Sequence, residues 1–120
     1  MNTLFLVTLI GEGLLALGSV LFPAAMYGPL GVELDEIATA FARLYGSALV
    51  SFPILLWLAR GSKSPEFRKA VVYGLFAYFV VSIVILVMAQ TAGLLNALGW
   101  IVIAMHTALL GWFGYFLVER

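Results

Sequence analysis

The chain reads as four long apolar runs separated by three short polar connections, and the residues that stop each run are turn and cap formers. The first run extends from about 4 to 22, where Pro23 and the Met26-Tyr27-Gly28-Pro29 cluster end it. A second, from about 37 to 59, starts after Glu33, Asp35 and Glu36 and ends at Arg60-Gly61-Ser62. Acidic residues ahead of a first turn complement the partial positive charge of a helix N-terminus. Ser64-Pro65-Glu66 has the form of an N-cap followed by proline at the first helical position, and a third run covers about 70 to 90. Thr91-Ala92-Gly93 is a tight turn, and the fourth run covers about 95 to 118. Because about 20 apolar residues cross a bilayer, the pattern predicts an all-α membrane protein, a four transmembrane helix bundle in a single domain. The first run is expected to be a span rather than a signal peptide, since Met1-Asn2-Thr3 carries no basic side chain and Glu12 interrupts the apolar stretch.

Composition agrees with the pattern. Of 120 residues, 64% are hydrophobic and 10% are charged, and the mean hydropathy is +1.13. Four spans leave no room for a soluble catalytic domain. Six basic and six acidic residues balance, so no basic field suits nucleic acid, and the expected partners are the lipid bilayer with a homodimer or a larger membrane complex. Without cysteine there is no disulfide, thiolate metal site or cysteine nucleophile.

Placement of the charges predicts orientation. Arg60, Lys63, Arg68 and Lys69 flank the second connection, which the positive-inside rule puts in the cytoplasm, and Arg120 supports the same assignment. Both termini are then cytoplasmic, and the Pro23–Glu36 and Thr91 connections face outward. The expected location is a bacterial inner (cytoplasmic) membrane, crossed several times. Trp57, Trp112 and Tyr115 fall where amphipathic rings anchor spans at an interface.

Three ionisable residues fall inside the runs: Glu12, Arg43 and His106. In hydrocarbon such groups must be paired, hydrated or neutralised, which makes each a candidate for function. At about 1.5 Å of rise per residue, Glu12 and His106 reach similar depths, and the long Arg43 side chain is expected either to reach toward Glu12 as an ion pair or to extend alone to the outer headgroups. Thr8, Glu12 and Ser19 form one helical stripe, and Ala40, Arg43, Ser47 and Ser51 form another, with small residues that let helices approach. Gly74, Tyr78 and Ser82 mark the expected inner edge of the third span, and Asn96, Gly99 and His106 that of the fourth. The candidate ligand-binding or proton-relay residues are therefore Glu12, Arg43, His106, Ser47, Tyr78 and Asn96. His106 is expected to be a neutral imidazole bonded to a neighbour such as Glu12 or Tyr78. One histidine supplies too few ligands for a metal or haem, and no phosphate loop, His-Glu-x-x-His helix or nucleophile elbow is present. No catalytic residue and no cofactor is assigned.

The runs Gly11-Glu12-Gly13-Leu14-Leu15-Ala16-Leu17-Gly18 and Ala42-Arg43-Leu44-Tyr45-Gly46-Ser47-Ala48-Leu49, with the four-span layout, resemble the DoxX-like group of small four-helix bacterial membrane proteins. The resemblance implies a four-helix bundle and, through some members, an association with quinone-linked sulfur oxidation. Glu12 is also similar in position to the membrane-embedded glutamate of small multidrug resistance transporters, an analogy of chemistry. The leading expectation is a non-enzymatic membrane protein whose polar cluster binds a small or lipophilic ligand such as a quinone. The alternatives are a proton-coupled small transporter using Glu12 and a structural accessory subunit.

Since the chain has no cysteine, single introduced cysteines report topology without background. In intact cells a membrane-impermeant maleimide should label Glu33→Cys, and Lys63→Cys only after lysis. The reverse pattern would invert the orientation.

Overall fold

The computed structural model describes residues 1–119 and is all helical; Arg120, used above for orientation, lies outside the described residues. Its helices are α1 (Asn2–Leu21), the short α2 (Pro23–Tyr27), α3 (Glu36–Leu49), α4 (Ser51–Gly61), α5 (Pro65–Thr91) and α6 (Gly99–Val118), with a 3-10 turn at Gly28–Leu30. Four helical segments are long and apolar enough to span a membrane: Asn2–Leu21, Glu36–Gly61, Pro65–Thr91 and Gly99–Val118.

The boundaries follow local chemistry. Phe22 leaves helical geometry at φ −137° and ψ 56°, as a residue before proline tends to, and Pro23 then opens α2. Asp35 caps α3 by accepting from the Ala38 amide at 2.7 Å, and Ser64 caps α5 by accepting from the Phe67 amide at 3.2 Å. The third span begins earlier than the apolar run, at Pro65, because the cap and proline start the helix before its hydrophobic part. The fourth begins later, at Gly99, because residues 92–98 form the connection. Gly93 turns that connection at a φ of +77°, which glycine adopts without strain.

The second span carries an interruption in its hydrogen bonding at Val50, between α3 and α4, although Val50 keeps helical dihedrals (φ −59°, ψ −29°), because Pro53 has no amide hydrogen to give the Leu49 carbonyl. Ser47 and Ser51 bend the same region by donating to the carbonyls of Leu44 and Ala48, at 2.7 Å each.

α1 packs along α3 and α4, α5 packs along α6, and α4 joins the two pairs by lying against α5. The buried core is Leu4, Phe5, Leu56, Ala59, Val71, Val72, Leu75, Phe79 and Phe113. These residues come from the start of α1, the end of α4, the first half of α5 and the end of α6. Tight packing is therefore concentrated at the end of the bundle that holds the second connection and both chain ends. Arg68 fastens that end. Its guanidinium donates to Asn2 Oδ1 at 2.7 Å and to the Ala59 carbonyl at 3.2 Å, and it lies 5.4 Å from the Phe5 ring centre.

The opposite end is held by loops. Asn96 donates through its side chain to the Pro29 carbonyl at 2.8 Å and through its amide to the Leu30 carbonyl at 2.9 Å, tying the third connection to the first. Gln90 donates to the Asn96 carbonyl at 3.1 Å. Tyr27 folds back so that its hydroxyl meets Ser19 Oγ at 2.6 Å. Burial pushes the Tyr27 phenol above its ordinary pKa, against the Ser19 hydrogen bond, so Tyr27 stays neutral.

α3 approaches α1 closely at Gly46. A Cβ there would come within 2.7 Å of Ser19 Cβ, 2.9 Å of Val20 Cγ2 and 3.0 Å of the Ala16 carbonyl oxygen, whereas one at Gly11 meets nothing within 4 Å. Gly46→Ala should therefore lower stability by about 1–3 kcal/mol, while Gly11→Ala should be neutral or slightly stabilising. Thermal unfolding in detergent distinguishes them, and equal effects would contradict this packing.

Candidate functional site

One stripe of α1 faces the protein interior: Leu4 and Phe5, then Thr8, Glu12, Ala16 and Ser19, all buried. Glu12 is 4% exposed and sits where the packed end of the bundle gives way to the loop-held end. The predicted stripe of Thr8, Glu12 and Ser19 is therefore an inward face.

Tyr78 of α5 donates to Glu12 Oε2 at 3.4 Å, and the Tyr78 and Tyr45 hydroxyls lie 2.7 Å apart. Three side chains from α1, α5 and α3 thus form one hydrogen-bonded line. α5 places Tyr78 beside Phe79, which packs into the core, and the Phe52 ring meets Tyr78 edge-on at 4.7 Å. The phenol is thereby held by apolar contacts on its ring and by polar contacts at its tip.

The line ends at a cavity. A volume of about 660 Å³ opens in the loop-held half, walled by Leu15 of α1, Phe41, Ala42 and Tyr45 of α3, Ser82, Ile85 and Leu86 of α5, and Val102 and His106 of α6. The first connection borders it with Met26, Tyr27, Pro29, Leu30, Val32 and Leu34, leaving the space partly open. The walls are apolar except at Tyr27, Tyr45, Ser82 and His106. A volume between about 300 and 1,000 Å³ with few polar groups is the usual form of a small-molecule site.

His106 lies on the cavity wall and bonds to its own helix. Its Nδ1 is 2.9 Å from the Val102 carbonyl, so Nδ1 carries the hydrogen and Nε2 is left as an acceptor in the neutral ring. The Phe79 ring meets it edge-on at 5.5 Å. The expected bond from His106 to Glu12 or Tyr78 is not formed, because the carbonyl one turn earlier on the same helix is closer at hand. Among the described residues, no three of His, Asp and Glu gather as a metal-binding set.

The expected Glu12–Arg43 pair is absent. Arg43 is uncovered by protein, and the partner of Glu12 is Tyr78. The side of α3 and α4 that turns inward carries Gly46, Leu49, Leu56 and Ala59, while Ala40, Arg43, Ser47 and Ser51 are all uncovered. Ser47 therefore does not join the site; its hydroxyl bonds to the Leu44 carbonyl. Asn96 contributes indirectly, by holding Pro29 and Leu30 in the cavity roof. Of the six candidates, the structure connects Glu12 to Tyr78 directly and brings His106 to the cavity where that line ends.

Tyr45, Ser82 and Tyr27 are the site residues that the candidate set lacked. Tyr45 was legible only as a residue of the second run, and its role depends on the side of α3 that Gly46 turns inward.

Arg43→Ala should leave thermal stability in detergent unchanged. Tyr78→Phe should lower it by about 1–2 kcal/mol, since it strips a partner from a buried carboxyl group. A loss for Arg43→Ala as large as that for Tyr78→Phe would restore the ion pair. No family model matches the chain, and neither a curated protein nor a solved structure matches it.

Proposed function

We propose that this small multi-pass membrane protein binds a lipophilic molecule with a compact, uncharged, hydrogen-bonding head in the loop-held cavity. The observation that carries the reading is the cavity itself, about 660 Å³ of apolar wall with its few polar atoms confined to Tyr27, Tyr45, Ser82 and His106. An apolar body is favoured by the Leu, Ile, Val and Phe lining, at roughly 25 cal/mol per Å² of apolar surface withdrawn from water. A charged head is disfavoured because no ion-pairing side chain lines the walls. A ring with carbonyl or hydroxyl groups, as in a quinone, meets both requirements. The resemblance of the Gly11–Gly18 and Ala42–Leu49 runs to DoxX-like chains is in keeping with this reading and with a bacterial inner membrane, with the lysine- and arginine-rich connection inside.

The test is a filled cavity. Ala42 lines the cavity, so Ala42→Phe should fill part of it and weaken binding of a short-tailed benzoquinone to the protein in nanodiscs by about ten-fold or more, the equivalent of about 1.4 kcal/mol. Thermal stability should stay close to that of the parent chain, because the ring enters empty space. Equal binding by both proteins would remove the cavity as the site.

A further inference from the structure

Counting hydrogens along the line from Glu12 to the cavity reveals a property that neither end has alone. A tyrosine hydroxyl has one hydrogen to give and an oxygen that accepts, and an ionised carboxylate only accepts. With Glu12 ionised, the Tyr78 hydrogen is committed to Glu12 Oε2, across 3.4 Å. The 2.7 Å contact between the two phenols can then be made only if Tyr45 donates to Tyr78. Tyr45 also lines the cavity, and with its hydrogen committed it offers the cavity an acceptor.

Protonation reverses every bond. A proton arriving from water in the cavity binds the Tyr45 oxygen as Tyr45 passes its own hydrogen to Tyr78, and Tyr78 passes its own to Glu12. Each hydroxyl loses one O–H bond and gains one, the carboxyl gains one, and nothing is oxidised or reduced. The carboxyl hydrogen now points back at Tyr78, the Tyr78 hydrogen points at Tyr45, and the newly arrived hydrogen on Tyr45 faces the cavity.

We propose that the protonation state of Glu12 is transmitted to the cavity as a change of Tyr45 from hydrogen-bond acceptor to donor. The site then prefers hydroxyl-headed lipophiles when Glu12 is ionised and carbonyl-headed ones when it is protonated. The inference rests on the cavity being a ligand site. It assigns that site a substrate class, an alcohol or phenol in one state and its carbonyl counterpart in the other, and a route by which protons reach a buried carboxyl group.

The other titratable or charged groups around Glu12 do not carry the switch. From α3, Arg43 is uncovered and forms no ion pair with Glu12. The charge on α4, Arg60, lies 5.7 Å from the Trp57 ring centre near the far end of that helix. From α5 the facing group is Tyr78 itself. From α6 it is His106, which lines the cavity and bonds to the Val102 carbonyl of its own helix. Tyr27 is bonded to Ser19.

The experiment uses the full chain in nanodiscs with carbon-labelled tyrosine, the Tyr45 ring signal being assigned with Tyr45→Phe. Dodecanol and dodecanone are titrated separately in mildly acidic and mildly alkaline buffer, and the Tyr45 signal reports occupancy of the cavity. The alcohol-to-ketone affinity ratio should fall by about two- to ten-fold on acidification, the worth of one net hydrogen bond. It should be independent of pH in Tyr78→Phe, which breaks the line, and in Glu12→Gln, whose amide donates and accepts at any pH. His106→Gln changes a polar group of the wall and should alter both affinities, while the fall of their ratio on acidification remains. A ratio that does not change with pH, or a change that survives in Tyr78→Phe, overturns the proposal while leaving the cavity as a binding site. If neither probe moves the Tyr45 signal, the cavity reading fails and the proposal fails with it.

Discussion

A carboxyl group buried in the middle of an apolar helix is the constraint around which this bundle is arranged. Glu12 is 4% exposed, and every atom around it that is not a hydrogen-bond partner raises the cost of keeping it there. The relief comes from a neutral neighbour. Tyr78 bonds to Glu12 and passes the polarity on to Tyr45, so the polar path leads away from the packed core toward open space. The packing of the molecule is asymmetric in the same sense. Phe5, Phe79 and Phe113 fill one half, while the other half is spanned by a roof tied down through Asn96.

A neutral partner has a functional consequence that a cation would not. An arginine beside Glu12 would hold the carboxylate ionised and would have no hydrogen pattern to reverse. A phenol accepts or donates with little movement of its heavy atoms, so the line transmits a proton's arrival as a change in bond direction. The same property makes the wall of the cavity chemically adjustable, although its shape is set by α1, α3, α5 and α6.

The number of spans, the caps at Asp35 and Ser64 and the inward stripe of α1 are all legible in the sequence, because each rests on local rules of apolar length, capping and helical period. The face of α3 is not. Small and polar residues at Ala40, Arg43, Ser47 and Ser51 look like an interior surface, but Ser47 and Ser51 satisfy their hydroxyls on their own backbone and need no neighbour. The deciding residue is Gly46, whose missing side chain admits Ser19 and Ala16 of α1 and so turns Tyr45 to the cavity. Tyr78 is legible as a polar residue on an apolar helix, whereas its bond to Glu12 depends on how α5 is rotated against α1. Asn96 is legible as polar too, but only the folded connections show that it grips the chain at Pro29 and Leu30.

The central claim is that Glu12 and the cavity are joined through Tyr78. Infrared difference spectroscopy on the protein in lipid, with and without a short-tailed benzoquinone, tests it directly, since a carboxyl group absorbs apart from the amide backbone. Filling the cavity should shift a carboxyl band that disappears in Glu12→Gln and no longer responds to the quinone in Tyr78→Phe. A bound quinone that leaves the Glu12 band unmoved, or moves it equally in Tyr78→Phe, would contradict the account.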